Sequence, residues 1–184
     1  VALSNESSAN ESTVPDTEIN HQYSKSVAFE NDFREYVAKY ISKDVQYFSF
    51  LRPINELQIA RLFSGFEHYH KVFKSCNAGS KTNSWCCKCP KCLFTWIILS
   101  PFLSHERLIE IFGNDVVNDK ELSPILAQLK GEAEVKPFEC VGTVEEVNAC
   151  LESQKSNLDV LLKMYDDNNN LPAIFENILK NHLS

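Results

Sequence analysis

Hydrophobic and polar positions along the chain predict several helices and a short buried strand. From Val27 to Ile41, apolar residues recur at intervals of three and four, which is the spacing of one face of a helix. We expect this face to be buried in the core. Its members are mostly aromatic: Phe29, Phe33, Tyr36, Val37, Tyr40 and Ile41. The short aromatic segment from Val45 to Leu51, which ends before Pro53, is typical of a buried strand.

After this strand, the pattern predicts one more strand-like segment and several helices. A second helix is expected from Ile54 to Phe63, followed by a strand-like HYHKVF segment, and this order of strand, helix and strand is an α/β pattern. Thr143 and Glu146 have the spacing of a capping box, which marks the start of a later helix. The later helical segments are predicted at 105–112, 124–130, 143–152 and after residue 172.

The size and charge of the chain limit its class. With 184 residues, of which 43% are apolar, it is large enough to bury a core. The net charge of −7 and the pI of about 5.3 disfavour unspecific binding to nucleic acid or to an anionic membrane. The longest apolar stretch, Leu93–Leu103, has eleven residues, well below the roughly 18 to 20 that span a bilayer. We therefore expect neither a nucleic-acid nor a membrane partner.

Four cysteines have the spacing of a metal site: Cys76, Cys86, Cys89 and Cys92. Two overlapping Cys-x-x-Cys steps bring three thiols onto one tight knuckle, and the loop after Cys76 is long enough to return the fourth. We predict a structural zinc site and a cytoplasmic location, since clustered free thiols favour a reducing compartment. Two alternatives stay open: a pair of disulfides, or a redox or iron-sulfur site. Cys87 breaks the spacing and is left as a free thiol or a substitute ligand.

Residues 4–26 are polar and rich in hydrogen-bonding side chains. Such a density of amides, hydroxyls and charges suits the binding of a polar ligand, although a solvated loop is the alternative. The side chains that offer these groups are Asn5, Glu6, Asn10, Glu11, Asn20, His21, Gln22, Tyr23, Ser24 and Lys25.

Blocks along the chain resemble two families. The strand VQYFSFLRP, the helix INELQIARLF, then SCN and C-x-x-C-x-x-C are similar to the C-terminal part of the PP-loop ATP-pyrophosphatases, especially 7-cyano-7-deazaguanine synthase, a family that binds zinc with such a set. A narrower set of blocks, over roughly residues 5–142, resembles the UDP-N-acetylmuramoyl-alanyl-glutamate epimerase family. These blocks are NESSAN, NHQYSKS, FLRPINELQIA, FKSCN, WCCKCPKC, SPFL and FECVG.

The epimerase resemblance implies a specific reaction. Members of that family use ATP and a divalent cation to invert the α-carbon of the terminal L-glutamate in a peptidoglycan precursor, through an acyl-adenylate. Activation matters because an ionised carboxylate makes its α-hydrogen a very poor acid, whereas an acyl-adenylate delocalises the charge that remains when the proton leaves. The implied α/β fold is the C-terminal part of a PP-loop, or HUP-like, nucleotide-binding domain with a zinc knuckle and a helical tail.

The resemblance also implies three parts in the chain. Residues 1–75 are expected to be the C-terminal half of an α/β nucleotide-binding-like domain, 76–103 the tetracysteine zinc knuckle with a core helix, and 104–184 a helical C-terminal region. The chain departs from the family pattern at two points, because it lacks the glycine-rich SGGxDS phosphate loop and has Cys87 in place of a glycine. It also opens on Val-Ala-Leu without a methionine. We therefore expect a C-terminal fragment that has no ATP chemistry of its own.

The resemblance assigns candidate roles to a few residues. The polar blocks at residues 5–10 and 20–26 are expected to line the substrate or nucleotide pocket, with His21 or Lys25 as proton carrier or anion clamp. The alternative for His21 is a surface side chain or one that only fills a hydrogen-bonding position. Arg52, at a strand end, is expected to pair with a phosphate or carboxylate, or else to form a surface ion pair. Beside Glu139, Cys140 is expected to exchange a proton at an α-carbon, the alternative being a small buried hydrophobic residue.

The sequence therefore predicts the C-terminal part of an ATP-dependent epimerase acting on UDP-MurNAc-L-Ala-L-Glu, with Mg²⁺ as the divalent cation and ATP bound through a missing N-terminal portion. This part alone is expected to be inactive. Two other readings remain: a non-catalytic zinc-stabilised module that binds a protein, and another PP-loop enzyme that acts on a base or on tRNA. The NHQYSKS and FECVG blocks argue against the second of these.

Overall fold

The computed structural model describes residues 1–151 and 155–183. These residues form helices and one small parallel sheet. The strands and helices in chain order are β1 Ala2–Leu3, α1 Val27–Tyr40, β2 Phe48–Ser49, α2 Glu56–Ser64, α3 Pro90–Leu99, α4 His105–Phe112, α5 Ser123–Leu129, α6 Val144–Leu151, α7 Lys155–Leu161 and α8 Ala173–Leu183. Short 3-10 turns lie between them, at Ser7–Asn10, Tyr23–Lys25, Glu67–Tyr69, Ser80–Thr82 and Lys120–Leu122.

The sheet consists of β1 and β2, which run parallel with Ala2 opposite Phe48 and Leu3 opposite Ser49. The strand at β2 is shorter than the predicted segment 45–51, but its two residues are buried as expected. The described chain thus combines many helices with little strand, and the α/β expectation is confirmed only in this coarse form.

The predicted strand HYHKVF, at residues 68–73, is wrong. The segment continues a 3-10 turn, and the backbone N–H of Phe73 donates to the carbonyl oxygen of Tyr69 at 3.0 Å. His70 is fully buried, with Nε2 lying 3.2 Å from the carbonyl oxygen of Phe63. These local bonds occupy groups that a strand would offer to its neighbour.

Helix α1 forms where the apolar periodicity predicts it, but its aromatic face is largely exposed. The helix begins after Ser26, whose hydroxyl accepts from the N–H of Phe29 at 3.2 Å. Tyr36, Tyr40 and Ile41 are 52%, 63% and 63% exposed, so the predicted burial of this face is wrong for these residues. The rings of Phe29, Phe33 and Tyr36 stack along the helix instead, with successive centroids 5.7 and 6.3 Å apart, and the Tyr40 ring lies tilted against Tyr36 with 5.0 Å between centroids.

Helices α2 and α3 form the centre of the core. A capping box starts α2, because the Asn55 side chain accepts from the N–H of Gln58 and the Gln58 side chain accepts from the N–H of Asn55. Helix α3 has Pro90 in its first turn and is buried on nearly every face, between α2, α5 and α6. The longest apolar stretch is therefore a core helix, and within residues 1–151 and 155–183 no helix is long and apolar enough to cross a bilayer.

The helices predicted in the second half of the chain are confirmed as α4, α5, α6 and α8. At the start of α6, the N–H of Thr143 donates to Glu146 Oε2 at 2.7 Å and the N–H of Glu146 donates to Thr143 Oγ1 at 3.1 Å. The other carboxylate oxygen of Glu146 accepts from the N–H of Leu57 at 2.9 Å, which ties α6 to α2. Glu152, the predicted end of this helix, lies outside the described residues, and the division into three parts stays a prediction.

Candidate metal centre and active site

The four cysteine sulfurs predicted as metal ligands lie together at the start of α3. All four Sγ atoms are within 4.8 Å of one another. The Sγ atoms of Cys76 and Cys89 are 3.8 Å apart, and those of Cys86 and Cys92 are also 3.8 Å apart. A zinc ion with four Zn–S bonds of about 2.3 Å places its sulfurs about 3.8 Å apart. The four thiols therefore fit one tetrahedral metal ion.

The disulfide alternative does not agree with this geometry. A disulfide needs sulfurs about 2.05 Å apart, whereas Cys89 Sγ and Cys92 Sγ are 3.5 Å apart. All seven cysteines are free in the described part of the chain. The cluster could therefore hold a metal ion through four sulfurs.

Backbone amides support the cluster. The N–H groups of Gly79 and Cys86 donate to Cys76 Sγ at 3.2 and 3.5 Å, and the N–H of Lys88 donates to Cys86 Sγ at 3.5 Å. Such bonds stabilise the negative charge of a thiolate ligand and fix its direction. Position 79 must be glycine, because a Cβ there would lie 1.9 Å from the carbonyl oxygen of Ser84.

Cys87 points away from the other four sulfurs. Its φ of 57° is left-handed, and its buried Sγ lies 3.4 Å from the carbonyl oxygen of Phe112. It is outside the group of thiols that can share a metal ion, so it is a free thiol and the alternative of a substitute ligand is wrong. A left-handed backbone favours glycine, which is the physical reason why a glycine fits this position.

A second site joins the start of the chain to the segment before α6. Lys25 Nζ donates to Cys140 Sγ at 2.8 Å, although 115 residues separate them in sequence. Both side chains belong to partly buried residues. A neighbouring ammonium group stabilises a thiolate, which is the form of cysteine that acts as a base or nucleophile. The structure thus brings two of the three predicted catalytic residues into contact, while their roles stay predictions.

His21 and Glu139 lie beside this pair. The ring nitrogen Nε2 of His21 is 3.1 Å from the backbone carbonyl oxygen of Glu139, and Nδ1 is 2.7 Å from Thr13 Oγ1. The carboxylate of Glu139 accepts from Asn77 Nδ2 at 2.8 Å. Both nitrogens of His21 therefore have partners in the chain, and the ring holds in place the backbone that carries Cys140.

The other polar candidates bond mainly within the chain. Partners of the three asparagines are Ser49 Oγ for Asn5 at 3.2 Å, Val27 N for Asn10 at 2.9 Å and Ala9 O for Asn20 at 2.8 Å. Gln22 is buried, whereas Tyr23 and Ser24 are exposed. The hydroxyl of Tyr23 donates to Asp32 Oδ2 at 3.0 Å, and this bond raises the pKa of Tyr23. Ligand contacts by these residues stay predictions.

Arg52 is fully buried rather than exposed. Its guanidinium donates to the carbonyl oxygens of Glu6 and Lys25 at 2.7 and 2.5 Å. Its carboxylate partner is Glu30, which is also buried, with 3.4 Å between the charged atoms. The alternative of a surface ion pair is therefore wrong. Arg52 fixes the two backbone segments that carry Glu6 and Lys25, and a contact with a ligand phosphate or carboxylate stays a prediction.

Two models of known protein families match the sequence of this chain. A model described as the MurL C-terminal domain matches residues 72–170, and one described as the MurL N-terminal domain matches residues 1–50. The first match alone covers more than half of the chain. The chain belongs to the MurL family.

Three curated relatives of this MurL chain carry the name UDP-N-acetyl-alpha-D-muramoyl-L-alanyl-L-glutamate epimerase. They come from Micromonospora sp., Xanthomonas oryzae pv. oryzae and Salinispora tropica and are 43%, 40% and 41% identical over 152, 154 and 152 residues. Each match covers 79% of this chain but only 34%, 34% and 33% of the relative, so the chain spans about a third of their length. No solved structure matches the chain.

The contact between Lys25 and Cys140 joins the two MurL matches. Lys25 lies in the residues matched by the MurL N-terminal domain, whereas Cys140 and the cysteine cluster lie in those matched by the C-terminal domain. The site therefore depends on both parts of this MurL chain.

Glu56, which sequence reasoning missed, lies between the two MurL matches. It is the first residue of α2 and lines, together with Cys140, a cavity of about 310 Å³. Burial raises the pKa of Glu56 to about 8, and the charges of Glu6 and Glu146 add to the shift. Burial also raises the pKa of Glu6. The sequence gave no signal for Glu56, because an acidic residue in the first turn of a helix is common.

Proposed function

We propose that this chain is the proton-transfer part of an epimerase that acts on UDP-MurNAc-L-Ala-L-Glu. The contact of Lys25 Nζ with Cys140 Sγ at 2.8 Å carries the proposal, because it pairs a cation with a side chain able to remove an α-proton. The name of the relatives supplies the substrate and the reaction, in which a terminal L-glutamate is inverted.

The chain's own residues have three tasks in this reaction. Cys140 removes the proton from the α-carbon, Lys25 stabilises the thiolate before that step, and Arg52 holds the backbone of Lys25 in place. The α-proton of a free carboxylate is too weakly acidic for a thiolate to remove. We therefore also propose that ATP and Mg²⁺ activate the substrate's terminal carboxylate as an acyl-adenylate, and we assign this step to residues outside this chain. The resemblance of the sequence blocks supports a PP-loop, or HUP-like, class for the whole domain.

We propose zinc as the ion for the cluster of Cys76, Cys86, Cys89 and Cys92. Four thiolates fill a tetrahedral coordination shell and leave no position for a substrate, which is typical of a structural site. When bound, zinc supplies folding stability at the start of α3, where Cys92 is fully buried. A cluster of reduced thiols also supports a cytoplasmic location.

The test uses the full-length protein that contains this chain. With UDP-MurNAc-L-Ala-L-Glu, ATP and Mg²⁺, we expect AMP release and the appearance of D-glutamate in the dipeptide. Cys140→Ala is expected to lower inversion by about 100-fold or more while AMP release continues. Because AMP release reports activation of the substrate and D-glutamate reports proton transfer, measuring both distinguishes the two steps.

Cys150→Ala is the matched control for this variant. Burial raises the pKa of Cys150 to about 12, so this thiol stays protonated and inversion should be unchanged. Normal inversion by Cys140→Ala would contradict the role of Cys140. Neither AMP release nor inversion by the wild type would instead favour a zinc-stabilised binding module or a PP-loop enzyme with a different substrate.

A further inference from the structure

The cavity between α2, α3 and the segment before α6 has a carboxyl group and a thiol in its lining, together with the ammonium group of Lys91. Glu56 reaches it from the first residue of α2, and Cys140 reaches it from the segment before α6. The two groups therefore come from different elements of the fold. Most of the lining is apolar, with Phe63, Phe94 and Ile98 among the walls.

The surroundings of the Glu56 carboxyl favour its protonated form over its ionised form. Its backbone N–H donates to Ser8 Oγ at 3.2 Å, but within residues 1–151 and 155–183 no group donates a hydrogen bond to its carboxylate oxygens. Neighbouring carboxylates, those of Glu6 and Glu146, disfavour a further negative charge, and they outweigh the cations Lys25 and Lys91. With burial, they raise the pKa of Glu56 to about 8, so near neutral pH the group holds a proton that it can donate.

Cys140 lies beside a cation. The ammonium group of Lys25 donates to its sulfur, an arrangement that stabilises the thiolate and hence the group that accepts a proton. The lining of the cavity thus includes a candidate proton acceptor, Cys140, and a candidate proton donor, Glu56. Inversion of a carbon atom requires such a pair, because the new proton must arrive on the face opposite to the one that lost it.

We propose that Glu56 is the catalytic acid that protonates the substrate's α-carbon on the face opposite to Cys140. The assignment rests on the proposed function, since it needs a substrate whose terminal carboxyl has been activated. The largely apolar walls suit this role, because an apolar environment favours the protonated form of a carboxyl group.

The proton balance is complete. The Cys140 thiolate takes the α-hydrogen as a proton, and the electron pair of the broken C–H bond moves into the activated carbonyl group as an enolate. The electron pair then returns to form a new C–H bond with the proton of the Glu56 carboxyl on the other face. Cys140 is left as a thiol and Glu56 as a carboxylate, and exchange with solvent restores both.

The experiment follows the full-length protein in deuterium oxide with UDP-MurNAc-L-Ala-L-Glu, ATP and Mg²⁺. In the wild type we expect AMP release and deuterium at the α-carbon of the D-product. Glu56→Gln should keep AMP release and should introduce deuterium into the recovered L-form through Cys140, while inversion falls by about 100-fold or more. A merely structural role for Glu56 would instead lower exchange and inversion together.

Glu145→Gln is the matched control, because Glu145 lies in the first turn of α6 as Glu56 lies in that of α2, but is exposed. It should behave as the wild type. Inversion by Glu56→Gln at the wild-type rate, or parallel loss of exchange and inversion, overturns the assignment of Glu56 and leaves the proposed function standing. A wild type that neither releases AMP nor inverts overturns the proposed function, and this assignment with it.

Circular dichroism shows whether Glu56→Gln folds. If it does not, a carbon-13 NMR titration of the wild-type Glu56 carboxyl decides the question. Titration near neutral pH supports a proton donor, and titration in the ordinary acidic range of a glutamate overturns it.

Discussion

Helices α1 and α3 both come from segments whose apolar residues predict burial, yet the fold uses them in different ways. Most of the ten residues of α3 are buried, including Trp96 and Ile97 at 1% exposure each. In the fourteen residues of α1, the buried ones are Glu30 and Val37. Burial in α3 is therefore apolar, whereas α1 is anchored chiefly by a buried carboxylate.

The neighbours of each helix explain this difference. Helix α3 has the cysteine cluster at its start and packs between α2, α5 and α6. Helix α1 contacts β2 and the preceding 3-10 turn, and its Glu30 side chain accepts from Ser49 and pairs with Arg52. The comparison teaches that an apolar stripe predicts a helix and its face, but the neighbouring elements decide whether that face is covered.

The largest expected effect comes from removing a ligand of the cluster. Cys92→Ser should abolish binding of the metal and lower the free energy of unfolding by more than about 4 kcal/mol, because metal binding at a structural site is also folding free energy. Zinc content by mass spectrometry and urea unfolding measure the two effects. Hydrogen exchange should increase in α3 far more than in α1, which would sharpen the comparison.

Cys150→Ser is the control for this prediction, since Cys150 is partly buried but lies outside the cluster. It should keep one metal ion per chain and cost roughly 1 kcal/mol. Full metal content and stability in Cys92→Ser would show that the four thiols do not hold a structural ion.

The next effect tests the polar anchor of α1. Arg52→Met should lower the free energy of unfolding by about 4 kcal/mol, because it leaves the buried charge of Glu30 without its partner. Chemical denaturation measures the change. Lys180→Met, which breaks an exposed ion pair with Glu176, should cost at most about 0.5 kcal/mol. Equal losses of unfolding free energy in the two variants would show that the pair of Arg52 and Glu30 does not anchor α1.

Truncation of apolar side chains compares the two helices directly. Ile97→Ala in α3 should cost about 3 kcal/mol, because the side chain is 1% exposed and leaves a cavity. Tyr40→Ala in α1 should change stability by at most about 0.5 kcal/mol, because Tyr40 is 63% exposed. Thermal and urea unfolding of both variants measure the difference. A large loss of stability in Tyr40→Ala would show that the aromatic face of α1 contributes to the core after all.

A further prediction concerns the dependence of stability on pH. Burial raises the pKa of Glu56 from 4.5 to about 8, with Glu6 and Glu146 adding to the shift and Lys25 and Lys91 opposing it. The folded chain therefore holds this proton more tightly than the unfolded chain, so stability falls as pH rises from about 4.5 toward 8. Denaturation across this range should show a smaller decline for Glu56→Gln. Identical declines would contradict the shifted pKa.

Local sequence signals predicted the parts of the fold that depend on neighbouring residues. The helices α4, α5, α6 and α8 appear where periodicity and caps indicate them, and the Thr143 and Glu146 box forms as predicted. The cysteine cluster was predictable for the same reason, because its spacing lies within one short segment of chain.

Contacts between distant segments could not be predicted in the same way. The strand expected at 68–73 is a turn because its amides find local partners. The raised pKa of Glu56 arises from Glu6 and Glu146, which lie on other parts of the chain. The local sequence around a residue does not show which distant residues lie beside it in the folded chain.

By itself, the sequence determined the positions of most helices and the four thiols of the cysteine cluster, because short-range hydrogen bonds and local spacing decide them. It also determined the family resemblance, which depends on the residues alone. Only the tertiary structure decided that Lys25 meets Cys140, that Arg52 is buried and that α1 exposes its aromatic face. The physical reason is that burial and charge pairing depend on which distant surfaces meet, and the contact of Lys25 with Cys140 spans 115 residues.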